Sequence, residues 1–349
     1  MLAVLLVAAL SLAPLVAEPR AVAPFDHVVV ISVDGLRPDI LEGPSLASLP
    51  NFARLLRGPH TLNARTDSQH TNTLPNHISM ATGRPVHGPY GHCWTGNTDP
   101  PSAAAGGTLH INKGAYITSM FDVAHDAGLS TALATTKTKF WIFEQSYCWA
   151  AGAPDTTPPD NGNAKIDFVT FSEQTRELAG AVADRLRRAS TRTLDFVHLA
   201  APDVAGHGYD WTLAPGSPYV ASVGEVDRAL GTLFQAIDAD AELRGHTAII
   251  LTSDHGGGVP RKTHTDITCP LNFRIPFIVW LGDQAASTDL YAINPTRARL
   301  ESEQIGERDA EFQPIRNGDA ANAALQLLGL PTIAGSFYGV KAPLQIVAP

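Results

Sequence analysis

His27-Val28-Val29-Val30-Ile31-Ser32-Val33 is an uninterrupted run of mainly β-branched residues. Such a run is typical of a parallel strand that is buried on both faces. It ends at Asp34-Gly35, and the carboxyl end of a buried strand is where open α/β sheets bind ligands. Taken alone, Asp34 would equally suit a turn or a helix cap. The stretch predicts an α/β fold with a site at one edge of its sheet.

Further strand patterns follow along the chain and alternate with helical patterns. Strands are predicted over residues 130–134, 194–200, 247–253 and 275–281, and helices over 50–57, 73–82, 119–128, 172–188, 221–239 and 317–330. The alternation has no internal repeat and no long linker. It predicts a single doubly wound α/β domain over residues 18–349, with a mostly parallel sheet and helices on both faces.

Residues 1–17 carry no charged side chain and end in small residues. This pattern predicts a signal peptide, with an uncleaved N-terminal anchor as the alternative, and therefore a secreted or periplasmic protein. No later stretch is apolar for long enough to cross a bilayer. In an oxidising compartment the cysteines, Cys93, Cys148 and Cys269, allow one disulfide and leave one thiol.

The composition narrows the classes of partner. The 349 residues are 44% hydrophobic, which is ample for a large core, and the net charge is -9. With no basic stripe in the sequence, binding of nucleic acid through its phosphate backbone is not expected.

The stretch Thr71-Asn72-Thr73-Leu74-Pro75-Asn76-His77 places a hydroxyl beside a predicted helix start. Pro75 suits a first helical turn, so Thr73 is expected at or just before the helix N-terminus. Free N–H groups and the positive end of the helix dipole favour a phosphate there. An ordinary threonine N-cap is the alternative interpretation.

Acids and histidines follow three of the predicted strands. The set comprises Asp34, Asp203, His207, Asp254, His255 and His264. Parallel strands deliver such residues to one edge of the sheet, and Asp and His ligands without Cys suit zinc or a similar divalent ion. Six side chains and the Thr73 hydroxyl are too many for one open tetrahedral site and suit two ions.

Asp203 and His207 are four residues apart, so on one helical turn they could share a cation. Pro202 and Gly206 in the same segment predict a tight, irregular turn rather than a regular helix. A capping Asp and an exposed His are the alternative interpretation.

Three further residues are candidates for contact with an anionic substrate. Asn97 lies in a Gly- and His-rich loop, where it or His92 could donate to an oxyanion. A purely structural loop is the alternative interpretation for each residue taken singly. Lys137 and Lys139 follow a predicted strand and could meet a negative charge, although such lysines more often form a solvated turn.

Taken together, these motifs resemble the alkaline phosphatase superfamily, nearest its type I phosphodiesterase/nucleotide pyrophosphatase branch. The motifs that carry the resemblance run in the right order from Val28 to about Leu330: Val33-Asp34-Gly35-Leu36-Arg37-Pro38-Asp39, Thr73-Leu74-Pro75-Asn76-His77, Thr82-Gly83, His87-Gly88, Pro202-Asp203 with His207, and Ser253-Asp254-His255-Gly256.

The resemblance implies a hydrolase of phosphate esters with a threonine nucleophile at Thr73, a covalent phospho-threonine and two zinc ions. One ion would be held by Asp203, His207 and His264. The other would be held by a second group of ligands, namely Asp34, Asp254, His255 and the Thr73 oxygen. The expected partner is therefore a small-molecule phosphate ester, preferentially a phosphodiester by this resemblance.

The chain departs from the branch at two places. His92 and Trp94 occupy the neighbourhood of the usual phosphate-binding Asn, so that role passes to Asn97. His264 follows His255 by nine residues, closer than the last His ligand of the branch. Lys137 and Lys139 are similar to the substrate-binding lysines of phosphonoacetate hydrolases.

Phosphomonoesters and phosphonates are therefore alternative substrates within the superfamily, as are phosphomutase and sulfatase reactions, although the Cys/Ser-x-Pro-x-Arg context of sulfatases is missing around Thr73. A non-catalytic protein that binds metal or an anion is the alternative of another class.

Overall fold

A seven-stranded sheet lies at the centre of the structure, a computed structural model that describes residues 25–157, 162–283, 286–340 and 342–347. The strands are β1 (His27–Val33), β2 (His60–Arg65), β3 (Ser130–Thr135), β4 (Phe168–Phe171), β5 (Thr193–Leu199), β6 (Thr247–Thr252) and β7 (Arg274–Trp280). Their order across the sheet is β2-β7-β6-β1-β5-β3-β4. β7 runs antiparallel to both of its neighbours, and the other pairings are parallel. The predicted α/β fold with a mostly parallel sheet is confirmed.

Helices cover both faces of this sheet. In chain order they are α1 (Pro50–Leu55), α2 (Thr73–Thr82), α3 (Leu109–Lys113), α4 (Met120–Asp126), α5 (Trp141–Tyr147), α6 (Thr175–Arg187), α7 (Ala201–Tyr209), α8 (Pro218–Ala239), α9 (Pro270–Phe273), α10 (Leu290–Ile293) and α11 (Asp319–Leu327). Apolar residues of α2, α4 and α11 belong to one core cluster, and those of α1, α6 and α8 belong to another.

The central strand shows why two cores form. Side chains alternate between the faces of a strand, and Val28 and Val30 of β1 lie in the first cluster whereas Val29 and Ile31 lie in the second. All seven residues of β1 are buried. The continuous apolar run is therefore the consequence of helices on both sides.

The parallel register places the predicted site residues side by side. Val33 of β1 is level with Leu199 of β5, and Ser32 is level with Thr252 of β6. The backbone N–H of Asp34 donates to the carbonyl of Leu199 (2.9 Å). The segments that leave β1, β5 and β6 therefore begin at one edge of the sheet, as the sequence predicts.

The strands that the sequence analysis misses are the two edge strands, β2 and β4. β2 is polar (His-Thr-Leu-Asn-Ala-Arg) and β4 has four residues, none of them buried. An edge strand pairs on one side only and is often short or polar, so it lacks the apolar run that marks β1.

The segment after β5 corrects one prediction. Residues Ala201–Tyr209 form the regular helix α7, where an irregular turn was expected. Pro202 occupies the first turn, where a missing N–H costs no hydrogen bond. Gly206 lies against the indole of Trp211, where an added Cβ would meet ring carbon at 2.3 Å. The glycine is required for this close packing and does not break the helix.

Two predictions concern the chain's surroundings. The predicted signal peptide over residues 1–17 lies outside the described residues. Within the described ranges, no helix is both long and apolar enough to cross a membrane.

Cys93, Cys148 and Cys269 are all free thiols in the structure, so the disulfide that the sequence allowed is not formed here.

Candidate active site

Asp34, directly after β1, is fully buried and has two different oxygen environments. Its Oδ2 accepts hydrogen bonds from Lys137 Nζ (2.7 Å) and His198 Nε2 (3.0 Å). Its Oδ1 has no hydrogen-bond partner and lies 3.3 Å from His255 Nε2. Burial raises the pKa of Asp34, but Lys137 and the two histidines outweigh it and hold that pKa well below its usual value.

Asp254 and His255, at the end of β6, are also fully buried. Asp254 Oδ1 accepts the backbone N–H of Gly35 (3.1 Å) and of His255 (3.0 Å). Its Oδ2 has no hydrogen-bond partner and lies 3.2 Å from His255 Nε2. Burial, together with Asp34 and Asp203, raises the pKa of Asp254 well above its usual value. A buried carboxylate oxygen without a partner is costly unless a proton or cation satisfies it.

The imidazole of His255 is oriented by its own loop. Its Nδ1 lies 2.8 Å from the carbonyl of Gly256, so Nδ1 carries the proton and Nε2 faces the carboxylates. Metal-ligating histidines are commonly held in this way. Although burial lowers the pKa of His255, Asp254, Asp34 and Asp203 raise it to about 9. A divalent ion would therefore displace a proton from Nε2.

A second group forms where α7 meets the loop after β6. Asp203 Oδ1, which has no hydrogen-bond partner, lies 3.3 Å from His207 Nε2, 3.8 Å from His264 Nε2 and 3.9 Å from His255 Nε2. His207 is half exposed, and its Nδ1 donates to the carbonyl of Lys262 (2.9 Å). Burial and His255 lower the pKa of His264 to about 3, so its ring is neutral and can ligate.

At this edge of the sheet, two groups of side chains have a geometry that could hold a metal ion. Ligand atoms of Asp34, Asp254 and His255 lie within 4.8 Å of one another, and so do those of Asp203, His255 and His264. His255 belongs to both groups, whereas His207 reaches only Asp203 at the exposed side. Four buried ligand atoms without hydrogen-bond partners lie together here: Asp34 Oδ1, Asp203 Oδ1, Asp254 Oδ2 and His255 Nε2. This donor set fits divalent cations.

Thr73 is the buried first residue of α2, and its neighbours attach that helix to both groups. Just before it, Thr71 Oγ1 donates to the carbonyl of His264 (2.5 Å). One turn later, His77 Nδ1 lies 2.7 Å from the Thr73 carbonyl and 3.8 Å from Asp254 Oδ2. The structure places Thr73 at the start of the helix, as the sequence predicts.

The N-terminus of α2 offers fewer free N–H groups than the sequence predicts. The N–H of Leu74 donates to Asn97 Oδ1 (2.9 Å), and Pro75 has no N–H. The N–H of Asn76 donates to the carbonyl of Asn72 (3.4 Å). The Asn97 loop thus caps the helix, and Asn97 itself is brought beside Thr73.

The two lysines occupy different places. Lys139 Nζ lies 3.3 Å from Asn97 Oδ1, and burial and Lys137 lower its pKa. Lys137 Nζ donates to Asp34 Oδ2 (2.7 Å) and to Asp203 Oδ2 (2.6 Å). Both lysines line a cavity of about 920 Å³ that also includes Phe171. Nothing in the sequence pattern predicts the contact of Lys137 with both aspartates.

Two buried histidines were not identified as site residues from the sequence. His198 at the end of β5 donates to Asp34 Oδ2, and its Nδ1 lies 3.1 Å from Thr136 Oγ1. His77 Nε2 lies 2.8 Å from Ser32 Oγ. For His198 the available signal was a polar residue within the apolar stretch Phe196-Val197-His198-Leu199, because a buried polar group requires a partner.

Several solved structures share this fold. A superfamily protein from Vibrio parahaemolyticus is 15% identical with a TM-score of 0.55, and the alignment covers 93% of this chain and 72% of that chain. Murine ectonucleotide pyrophosphatase/phosphodiesterase 5, an inactive variant in complex with AMP, is 14% identical with a TM-score of 0.55, covering 87% and 95%. The C-terminal periplasmic domain of EptC from Escherichia coli is 15% identical with a TM-score of 0.54, covering 97% and 91%.

The fold is therefore that of the alkaline phosphatase superfamily. The family model of type I phosphodiesterase / nucleotide pyrophosphatase matches residues 28–323, and the chain belongs to that family. Membership indicates a hydrolase of the phosphodiesterase/pyrophosphatase type, from a family that is typically metal-dependent.

Proposed function

We propose that this protein hydrolyses phosphate esters, preferentially phosphodiesters, with two divalent metal ions and a covalent phospho-threonine at Thr73. The observation that supports this most strongly is the set of buried ligand atoms without hydrogen-bond partners, which converge from three neighbouring strands. Isolated buried charges of this kind are destabilising unless they bind a cation or proton.

In this proposal, Asp203, His207 and His264 hold one ion. The second is held by Asp34, Asp254, His255 and the Thr73 oxygen, and zinc is the metal that this mixture of ligands suits best. When bound, the two ions supply positive charge to the phosphoryl oxygens and lower the pKa of a coordinated hydroxyl.

Within this site Thr73 acts as the nucleophile. Its Oγ1 attacks phosphorus, the P–O bond to the ester group breaks, and the ester oxygen departs with a proton; water then cleaves the phospho-threonine. Asn97, whose Oδ1 accepts the N–H of Leu74 and faces Lys139, offers its Nδ2 to a phosphoryl oxygen. Lys139 supplies a positive charge in the cavity beside it.

Phosphomonoesters and phosphonates are the alternative substrates, because Lys139 at the cavity wall could meet a second negative charge. A non-catalytic metal- or anion-binding protein is the alternative of another class. We also expect export of the chain, on the basis of the uncharged segment over residues 1–17.

The test compares bis-p-nitrophenyl phosphate with p-nitrophenyl phosphate, using zinc-loaded protein. Thr73→Ala should lower turnover roughly a thousandfold or more, as expected when the nucleophile of a covalent mechanism is removed. Thr232→Ala is the matched control, because Thr232 is partly exposed on α8 and its hydroxyl donates to the carbonyl of Arg228 within the same helix (3.3 Å).

A preference for the diester together with an inactive Thr73→Ala variant supports the proposal. A preference for the monoester would be consistent with the same site and would support the alternative substrates. Full activity of Thr73→Ala contradicts the mechanism, and wild-type protein that binds metal without turning over either ester supports the non-catalytic alternative.

A further inference from the structure

The ammonium group of Lys137 lies between the two groups of metal ligands. Its Nζ donates to Asp34 Oδ2 (2.7 Å) and to Asp203 Oδ2 (2.6 Å), one carboxylate from each group. The backbone beside Lys137 is fixed after β3, because its N–H donates to Thr135 Oγ1 (3.1 Å) and the same hydroxyl donates to its carbonyl (3.1 Å). The lysine is therefore held at this position from both ends.

In both aspartates the two carboxylate oxygens have different neighbours, and the arrangement is the same. In Asp34 and in Asp203, Oδ2 faces Lys137, whereas Oδ1 has no hydrogen-bond partner and faces His255. Lys137 thus binds, in each carboxylate, the oxygen that is turned away from His255, and on Asp34 it shares that oxygen with His198 Nε2 (3.0 Å). The remaining oxygen of each is the one available to a cation.

A carboxylate can bind a metal through one oxygen or through both. A cation fixed on Oδ2 favours binding through Oδ1 alone and prevents rotation of the group, as partners of metal ligands generally do. We propose that Lys137 is a positioning residue that holds Asp34 and Asp203 as single-oxygen ligands of the two ions. This inference rests on the proposed two-metal function and gives Lys137 a different role from the substrate contact that the sequence suggested.

Lys139 provides an internal comparison. It lies on the same short segment and lines the same cavity, but its Nζ contacts Asn97 Oδ1 at 3.3 Å. A change at Lys139 should therefore alter substrate binding and leave the metal ligands undisturbed. Lys137→Met and Lys139→Met form a matched pair with similar side-chain volumes.

The experiment uses Co²⁺ as the probe in the full-length protein. Metal-free wild type, Lys137→Met and Lys139→Met are titrated with Co²⁺ without substrate, and the visible absorption spectrum reports the coordination of each ion. Affinity is measured against a competing chelator. We expect close to two Co²⁺ per wild-type chain, and for Lys137→Met a changed spectrum and affinity weaker by roughly tenfold or more. Lys139→Met should keep the wild-type spectrum and affinity.

A wild-type spectrum and affinity in Lys137→Met, with a raised KM for ester substrates, would overturn the inference. Lys137 would then be assigned as a residue that contacts the substrate. The proposed function would survive that result. Wild-type protein that binds no Co²⁺ would overturn both. Should Lys137→Met fail to fold, Lys137→Gln, which lacks the charge but keeps an N–H donor, must show an altered Co²⁺ spectrum, and an unaltered one contradicts the inference.

Discussion

His255 and His264 lie face to face, with ring centroids 3.6 Å apart and planes inclined by 14°. The pair joins the end of β6 to the loop that follows it. It also brings His264 Nε2 within 3.8 Å of Asp203 Oδ1. Although the two histidines are nine residues apart in the sequence, the loop between them folds back and places both rings beside the carboxylates.

Replacement of His264 by Phe should distinguish the role of its ring in packing from its role as a metal ligand. Phe can keep the contact with His255 but has no ligand atom, so we expect the metal content to fall from about two ions per chain to about one. Metal analysis after dialysis measures this. His246→Phe is the control, because the exposed His246 pairs with Asp26 away from the site; an unchanged content in His264→Phe would refute the ligand assignment.

His198→Leu should weaken the site without removing a ligand. His198 donates to Asp34 Oδ2 (3.0 Å), and loss of such a partner typically lowers metal affinity or activity by about 10- to 100-fold. His27→Leu removes a buried histidine from β1, bonded to Thr193, and should affect stability only. Equal metal affinities of the two variants in a chelator competition would show that His198 has no role at the site.

Gly206→Ala should destabilise the protein, because the new Cβ would lie 2.3 Å from the indole of Trp211. Overpacking of this kind costs roughly 1–3 kcal/mol and should displace α7, which carries Asp203. Gly208→Ala lies in the same helix, has no atom within 4 Å of the new Cβ, and should be neutral or slightly stabilising. Urea unfolding of both variants tests the difference, and similar losses in both would contradict it.

The stability of metal-free protein should fall as pH rises from about 6.5 through about 9. The pKa of His255 is raised to about 9, so its stabilising contribution is complete below the unfolded pKa near 6.5 and disappears as pH passes 9. The raised pKa of Asp254 acts in the same direction, because the folded state binds the extra proton.

Divalent metal should remove most of this dependence, since the ion replaces the proton at His255. Thermal unfolding from pH 6 to 9.5, with a chelator and with saturating zinc, measures both effects. A metal-free melting temperature that stays constant or rises over this range would contradict the assigned pKa shift.

The sequence was sufficient for the buried strands because their apolar runs follow from burial on both faces. It located Asp34, Asp203 and Asp254 because the ends of parallel strands meet at one edge. It could not assign Lys137: a lysine after a strand is usually solvated, and its contact with two carboxylates depends on the packing of β3 beside β5. The sequence pattern predicts an irregular turn at Gly206, because the contact with Trp211 that explains this glycine is tertiary.

The sheet separates two hydrophobic cores, and the candidate site includes elements from both sides. Thr73 begins α2, which belongs to the first core, and Asp203 lies in α7, which packs on α8 of the second. A metal pair at the sheet edge would therefore act as a reversible cross-link between two layers that otherwise pack separately. On metal loss, the layers should separate first at this edge, with each core still intact.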